Sequence, residues 1–174
     1  MGRDRYKIID TSFPHHITCT VKDWYPLFMD PEIVGIIYSS LKFLQKEKLN
    51  IYAYVIMENH LHLIAKSEIL QTQIQRFKSY TATEILTYLK NYSHSQLLQN
   101  FKYVNILTHS KHKLWEEGFH PKMIENVDIM SEKIKYIHEN PVRRGYIDNP
   151  ADWRYSSARN YEGQPGLIDV IIDW

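Results

Sequence analysis

The sequence predicts an α+β fold: a ferredoxin-like βαββαβ unit whose antiparallel sheet carries helices on one face, followed by a C-terminal helix and a tail. Strand-like segments alternate with helical patterns in the order that this unit requires. Two of the segments are separated by only two polar residues, which favours a hairpin. No repeat or Pro/Gly-rich linker divides the 174 residues, so we expect one domain, with a core over about 12–148 and a tail over about 149–174.

The first strand and the first helix are indicated by local patterns. Residues 15–21 are rich in β-branched side chains and predict a strand. Asp30 and Pro31 suit the N-cap and first position of a helix, and apolar residues then recur at three- and four-residue spacing until about Lys48.

The central hairpin and the long helix follow. Residues 51–57 and 60–65 are apolar runs on either side of Glu58 and Asn59, which predicts two strands joined by a tight turn. Residues 70–89 carry a helical pattern.

The remaining elements are less sharply marked. The stretch 91–112 is polar without a clear period and indicates a loop. Residues 122–125 suit a short strand, and 130–139 a helix capped by Asp128 or Ser131.

Composition and charge leave the function to local sites. Lys and Arg number 21 against 20 Asp and Glu, so the global charge does not indicate a nucleic-acid partner. Thirteen Tyr and four Trp offer flat surfaces that can pack in a core or stack on bases. The single cysteine, Cys19, rules out an internal disulfide, and no apolar run approaches membrane-spanning length. We therefore expect a soluble, cytoplasmic protein with no membrane partner.

The most distinctive local pattern is a pair of histidines one residue apart. Side chains alternate across a strand, so His60 and His62 project from one face while Leu61 points to the other. Two imidazoles on a rigid strand form a two-point ligand for a divalent metal. Such a pair can also be two polar residues on a solvated face, but the apolar flanks favour a central strand.

A second cluster lies on the last predicted helix. Positions i and i+4 share a helix face, so Tyr136 and Asn140 project together. The Asn140 amide oxygen can complete a metal site begun by two imidazoles, and the Tyr136 phenol can attack a phosphate polarised by the metal. Pro141 disfavours helical geometry at the preceding residue, so the helix should end at Asn140. Tyr136 could also simply pack against the sheet.

Several other residues could contact DNA or assist the reaction. Positive charge can assist a tyrosine nucleophile and bind the DNA backbone, and the candidates are Lys133, Lys135, Arg143 and Arg144. Trp115 could stack on an unpaired base or anchor its loop to the core.

Tyr80 is a rival nucleophile. It lies in a basic stretch with Arg76 and Lys78, and its i+4 partner, Glu84, is a carboxylate that could bind metal. Spacing alone does not choose between the two tyrosines, and we prefer Tyr136.

Three blocks of the sequence resemble one known family. Residues 55–64 (VIMENHLHLI) resemble its histidine strand, VIMPNHVHLL, and residues 114–119 (LWEEGF) resemble its LWE block. Residues 136–145 (YIHENPVRRG), followed by 148–157 (DNPADWRYSS), resemble YIxxNPVRAGxV and xPxDYxxSS. The chain thus resembles the HUH single-tyrosine transposases, and in particular the REP-associated tyrosine transposases.

That resemblance implies a function and a set of site residues. It implies a ferredoxin-like domain that uses Mg²⁺ or Mn²⁺ to cleave and rejoin hairpin-forming single-stranded DNA, leaving a 5′-phosphotyrosine and a free 3′-hydroxyl. By motif position, Tyr136 would be the nucleophile and His60, His62 and Asn140 the metal ligands. Glu58 departs from the family, since commoner members carry Pro there.

Alternatives remain open on the sequence alone. The chain could be a monomer or a homodimer, with the tyrosine serving its own chain or a partner's. It could be a non-catalytic binder of single-stranded DNA or RNA hairpins, although such a protein has no need of the whole residue set. It could also be a zinc-dependent hydrolase that activates water, in which case Glu58 would be the residue to mutate.

Overall fold

Four strands form one antiparallel sheet in a computed structural model that describes residues 8, 10–92, 95–102 and 113–174. Strands β1 (His15–Thr20), β2 (Asn50–Ile56), β3 (His60–Lys66) and β4 (Lys122–Met123) lie in the order β2-β3-β1-β4, with every pair antiparallel. This is the order of a ferredoxin-like βαββαβ unit, so the predicted fold class is confirmed.

Two long helices cover one face of the sheet. Helix α1 (Pro31–Lys46) begins as predicted, because the Asp30 side chain accepts a hydrogen bond from the Glu32 N–H and Pro31 stands at the first helical position. Helix α2 is Leu70–Asn91, and its apolar side chains join those of α1 in the larger core. This core includes Cys19, whose burial raises the pKa of its thiol to about 11.

The segment predicted to be a loop contains a short helix, α3 (Ser95–Asn100). The loop interpretation is therefore wrong for these six residues, where a polar composition hid the helix. The remainder of the predicted loop, residues 93–94 and 103–112, lies outside the described residues.

Helix α4 (Val127–His138) packs on the face of the sheet opposite α1 and α2. It begins earlier than predicted, and its N-cap is Asn126, whose side chain accepts from the Ile129 N–H, rather than Asp128 or Ser131. Its apolar residues contact β2 and β3 in a second, smaller core formed by Ala53, Val55, Ile64, Met130, Ile134 and Ile137.

Asn140 does not end the helical backbone, as we predicted, but begins one further turn, α5 (Asn140–Arg143). Pro141 is tolerated because it occupies the first turn of α5, where a missing N–H breaks no intrahelical bond. The Arg143 N–H donates to the Glu139 carbonyl, so the backbone continues in nearly the same direction. Residues on α5 therefore stay close to the helix face that carries Tyr136.

The C-terminal residues run along the outer edge of β2. The Ile56 N–H donates to the Tyr155 carbonyl at 2.8 Å, and the Ser157 N–H donates to the Tyr54 carbonyl at 3.0 Å. A short helix, α6 (Ala158–Tyr161), follows. This segment satisfies backbone groups that an open edge strand would expose. None of the described helices is both long and apolar enough to span a membrane.

Candidate active site

The two histidines of β3 lie on the sheet face that α4 partly covers. Leu61 and Leu63 pack in the larger core, while His60 and His62 project to the other side, as strand alternation predicts. The two imidazole centroids are 4.7 Å apart, and both rings are buried. The strand therefore holds two nitrogen ligands side by side.

Asn59 orients the ring of His60. The Asn59 Nδ2 donates to the Trp24 carbonyl at 3.1 Å, and its Oδ1 lies 2.7 Å from His60 Nδ1. Because an amide oxygen can only accept, Nδ1 of His60 carries the hydrogen and Nε2 keeps its lone pair. A metal-binding histidine is commonly held by such a hydrogen bond from its other nitrogen.

His62 is held from the neighbouring strand β1. Its Nδ1 lies 3.0 Å from Thr18 Oγ1 and 3.2 Å from His16 Nε2. Thr18 is paired directly with His62 in the β1–β3 register. His16 lies two residues before Thr18 and therefore on the same face of the sheet. Both contacts engage Nδ1, so Nε2 is the nitrogen left to bind a metal. No sequence pattern assigned His16 or Thr18 to the site, although their i, i+2 spacing in the predicted strand puts both on one face.

Burial keeps these imidazoles neutral. It lowers the pKa of His60 to about 4 and the pKa of His16 to about 4. Burial, together with the neighbouring His60 and His16, lowers the pKa of His62 to about 2. Neutral imidazoles retain the lone pair that a metal needs, so the pair is ready to bind one at neutral pH.

Tyr136 stands beside the histidine pair. Its ring centroid lies 5.5 Å from that of His62 and 6.0 Å from that of His16, and the side chain is 43% exposed. The Arg143 guanidinium lies 4.5 Å from the centre of the Tyr136 ring, and its Nη2 donates to the Tyr136 carbonyl at 2.6 Å. The phenol is thus accessible, close to the candidate ligands, and next to the guanidinium of Arg143, which also pairs with Glu139 at 3.3 Å.

Asn140 is buried on the same helix face. Its Nδ2 donates to the Tyr136 carbonyl at 3.3 Å, which leaves Oδ1 as the atom that could bind a metal. Arg144, four residues further on, bonds through Nη2 to Glu58 Oε1 at 2.7 Å, at the turn of the β2–β3 hairpin. Tyr136, Asn140 and Arg144 therefore lie along one helix face. Tyr136 at one end contacts His62, and Arg144 at the other end contacts the hairpin turn.

One of the two carboxylate oxygens of Glu58 accepts no hydrogen bond from the described residues. The residue is only 8% exposed, and Oε2 is buried without a hydrogen-bond partner in the described part of the chain. Its charge raises the pKa of His60 against the larger effect of burial, which indicates that the carboxylate faces the site. The residue that departs from the family pattern thus lies at the edge of the site and neutralises Arg144.

The predicted lysines differ in their surroundings. Lys133 lies 2.7 Å from Glu132, and the highly exposed Lys135 lies 3.8 Å from Glu139. Lys133 and the exposed Lys122, which the sequence analysis did not select, both lower the pKa of His16 and so lie near the site. Positive side chains therefore lie near the histidines, but Lys133 and Lys135 are each paired with a carboxylate, and the net charge of the chain is only +1.

Trp115 is not available to a base. It is 5% exposed, packs against Phe28 and Phe77, and donates through Nε1 to Thr81 Oγ1 at 3.1 Å. This burial contradicts the predicted DNA contact and supports the alternative that Trp115 anchors its loop to the core. The residue type alone could not separate these two uses.

Tyr80 lies on the other side of the molecule from the histidines. It is exposed on α2 and lines a groove of about 560 Å³ with Ser39 and Phe43 of α1. Helices α1 and α2 cover the sheet face opposite α4, so Tyr80 and the histidine pair do not share a site. The structure therefore brings together Tyr136, His60 and His62 but not the rival tyrosine.

The candidate donors are the two imidazoles of β3 and the Asn140 amide on the neighbouring helical segment. Within the ranges that the structure describes, no three His, Cys, Asp or Glu side chains form a metal cluster. Two neutral imidazoles and one amide oxygen suit a divalent ion that fills its other positions with water or phosphate oxygens. The types of donor present therefore fit Mn²⁺ or Mg²⁺, with His60, His62 and Asn140 as the candidate ligands.

Comparison with known proteins gives a match at the level of structure. No protein-family profile matches the sequence, and no curated protein matches it. Among the solved structures that match is a REP-associated tyrosine transposase bound to a REP hairpin, with 15% sequence identity and a TM-score of 0.67, covering 100% of this chain and 94% of that one. The chain therefore has the fold of a REP-associated tyrosine transposase, as the sequence resemblance led us to expect.

Proposed function

We propose that this protein cleaves and rejoins hairpin-forming single-stranded DNA in the cytoplasm, with Tyr136 as the nucleophile and Mg²⁺ or Mn²⁺ bound by His60, His62 and Asn140. The observation that carries the proposal is the position of Tyr136, whose accessible phenol ring lies 5.5 Å from His62 in a fold shared with a tyrosine transposase. A phenol beside two neutral imidazoles suits attack on a metal-bound phosphate.

The chain's own residues position the reacting groups. The Tyr136 phenol loses its proton as its oxygen forms a bond to the scissile phosphorus, the bond from phosphorus to the 3′-oxygen breaks, and the 3′-oxygen takes up a proton in exchange. A bound divalent ion would neutralise charge on the phosphate oxygens as this happens. Asn59 orients His60, while Thr18 and His16 orient His62. Because a phosphotyrosine bond replaces the DNA bond, the reaction can run backwards and rejoin the strand.

Positive charge close to the tyrosine supports the same assignment. Arg143 lies over the Tyr136 ring and can stabilise negative charge that develops during attack. Lys122 and Lys133 lie near His16 and could contact the DNA backbone on either side of the scissile phosphate. Arg144 is partly neutralised by Glu58, so we assign it a smaller share of that contact.

One chain supplies the whole proposed site. Tyr136 and His62 approach each other within a single protomer, so no partner's tyrosine is needed. We therefore propose that a monomer is sufficient for cleavage, whether or not the protein also forms a homodimer.

The hydrolase alternative receives less support. It needs a carboxylate free to act as a general base, and Glu58 is the nearest candidate. One of its oxygens is held by Arg144 at 2.7 Å, so that oxygen is already engaged in an ion pair. That alternative also gives the accessible phenol of Tyr136 no role.

The test is the formation of a covalent DNA–protein adduct. Purified protein is incubated with fluorescently labelled single-stranded hairpins, with Mn²⁺ or with a chelator, and resolved by denaturing electrophoresis. We expect a metal-dependent adduct with the unchanged protein and with Tyr80→Phe, and none with Tyr136→Phe. Tyr80→Phe is a matched control because its phenol is also exposed but lies on the other face.

Each other outcome has a definite meaning. An adduct lost only with Tyr80→Phe would keep the reaction and overturn the assigned nucleophile. DNA binding without an adduct, over a varied set of hairpins and metals, would favour the non-catalytic binder. Cleavage to a free 5′-phosphate with no adduct in Tyr136→Phe would favour hydrolysis.

A further inference from the structure

Trp24 is an exposed indole beside the candidate metal site. The residue is 58% exposed, and its ring centroid lies 5.9 Å from that of His60 at an interplanar angle of 67°. Burial of a tryptophan is strongly favourable, so a largely exposed indole needs an explanation. Its ring contacts a proposed metal ligand, and more than half of the residue is exposed to solvent.

The backbone that presents Trp24 is strained. Asp23 and Trp24 have φ angles of 56° and 55°, in the left-handed region that residues with a Cβ rarely adopt. Two consecutive side chains in this region cost free energy, and burial of the Trp24 ring does not offset that cost. Strain of this kind persists where the surroundings fix it, and it is concentrated at functional sites.

Three hydrogen bonds hold the strained turn in place. The Asp23 N–H donates to Glu116 Oε1 at 2.9 Å, and the Trp24 N–H donates to the Val21 carbonyl at 3.0 Å. Asn59 donates to the Trp24 carbonyl at 3.1 Å through the same amide group that orients His60. The position of the indole is therefore coupled to the orientation of a proposed metal ligand.

We propose that Trp24 is a stacking platform for the base of a nucleotide that flanks the scissile phosphate, an inference that rests on the proposed DNA cleavage. A phosphate bound near His60 and Tyr136 brings the bases of its own and the adjacent nucleotide within reach of Trp24. An exposed, rigidly held indole offers a face on which any base can stack. Trp24 would thus select single-stranded over paired DNA at the cleavage point, because a paired base is already stacked.

The experiment combines protein variants with abasic DNA. Binding of hairpin oligonucleotides is measured by fluorescence anisotropy in a Tyr136→Phe background, so that the DNA stays intact, and each base near the cleavage point is removed in turn. We expect Trp24→Ala to weaken binding of complete DNA about tenfold. In the parent, removing the base that stacks on Trp24 should weaken binding about as much as Trp24→Ala does. In Trp24→Ala, removing the same base should cause no further loss of affinity.

Two further variants separate stacking from folding. Trp24→Gly suits the positive φ, so it should lose the same affinity without a lower melting temperature. Trp24→Phe keeps an aromatic face and should retain most of the affinity. Tyr80→Ala, which removes an aromatic side chain of comparable exposure on the other face, should leave binding and the abasic profile unchanged.

The outcomes are distinguishable from those of the adduct test. Unchanged binding in Trp24→Ala would overturn the platform while leaving DNA cleavage intact. An equal loss with every abasic oligonucleotide would indicate a structural role and would also overturn it. No binding of single-stranded DNA by the parent would overturn both the platform and the proposed function.

Discussion

His16 Nε2 lies 3.2 Å from His62 Nδ1, across two neighbouring antiparallel strands. His62 belongs to the histidine pair that the sequence indicated, whereas His16 belonged to no sequence motif. Because His62 also contacts Thr18 Oγ1 through the same nitrogen, its ring is fixed from β1 while its Nε2 remains available. The sheet therefore supplies not only the proposed ligand but also the groups that orient it.

His16→Ala should weaken metal binding. Groups that orient metal ligands typically contribute tenfold or more to affinity, so we expect the affinity for Mn²⁺ to fall by about tenfold. Isothermal titration calorimetry, or the loss of the free Mn²⁺ signal in electron paramagnetic resonance, measures this without DNA. His15→Ala is the control, since His15 is buried but contacts the Phe13 carbonyl instead of the histidine pair. An equal loss in both variants would contradict a specific role for His16.

Glu58→Gln should change how salt affects DNA binding. The substitution removes the charge that neutralises Arg144 and replaces one carboxylate oxygen with an amide group of nearly the same size. A freed guanidinium adds about one phosphate contact, so we expect stronger binding at low salt and a slope of log affinity against log salt that is steeper by about one.

The matched control for Glu58→Gln is Glu47→Gln. Glu47 pairs with Arg76 at 2.7 Å, far from the proposed site, so the salt slope should not change. If Glu58→Gln leaves the slope unchanged while the protein remains folded, Arg144 does not approach the DNA backbone.

Arg143→Gln should slow adduct formation more than it weakens DNA binding. Its guanidinium lies over the proposed nucleophile and can stabilise charge in the transition state. We expect a decrease of about a hundredfold in the single-turnover rate at saturating DNA. Arg144→Gln, which removes a charge one residue away that Glu58 already partly neutralises, should change the rate much less. A rate unchanged by Arg143→Gln would exclude this electrostatic role.

Much of the fold and the centre of the site followed from local rules. Strand alternation placed His60 and His62 on one face, and the i, i+4 spacing placed Tyr136 and Asn140 together. Asp30 and Pro31 marked the start of α1 correctly. These inferences depend on neighbours in sequence, whose geometry the backbone fixes.

Features that depend on contacts distant in sequence were not predictable. His16 joins the site only because β1 lies beside β3 in a register that pairs Thr18 with His62. Trp115 was ambiguous because the same side chain can stack on a base or fill a core, and only the packing of its loop decides. Tyr80 lies on α2, which covers the sheet face opposite the histidine pair, and spacing within the helix does not reveal this.

Stability should fall in mild acid, with His138 as one measurable contributor. His138 is buried, its Nε2 lies 2.8 Å from Ser157 Oγ, and burial lowers its pKa from 6.5 to about 4. Because the unfolded chain binds this proton first, the full stability is present above about pH 6.5 and is lost as the pH falls towards 4. By pH 5 the loss from this one group is about 2 kcal/mol.

Urea denaturation at pH 7.5 and pH 5 measures the effect of His138. The free energy of unfolding should fall less between pH 7.5 and pH 5 in His138→Gln than in the unchanged protein, by roughly the same 2 kcal/mol. An unchanged difference in His138→Gln would mean that this ring is protonated equally easily in the folded and unfolded chain.

The C-terminal segment should stabilise the sheet through one buried isoleucine. Ile168 is fully buried in the larger core, and its N–H donates to the Tyr54 hydroxyl at 3.3 Å, whereas Ile172 is 48% exposed. Ile168→Ala should lower the free energy of unfolding by about 2–5 kcal/mol, because it leaves a cavity beside β2. Ile172→Ala, the same chemical change four residues away, should alter it by no more than about 0.5 kcal/mol. Urea denaturation of the two variants measures the contrast, and a small effect in both would mean that the segment does not hold the edge of β2 in solution.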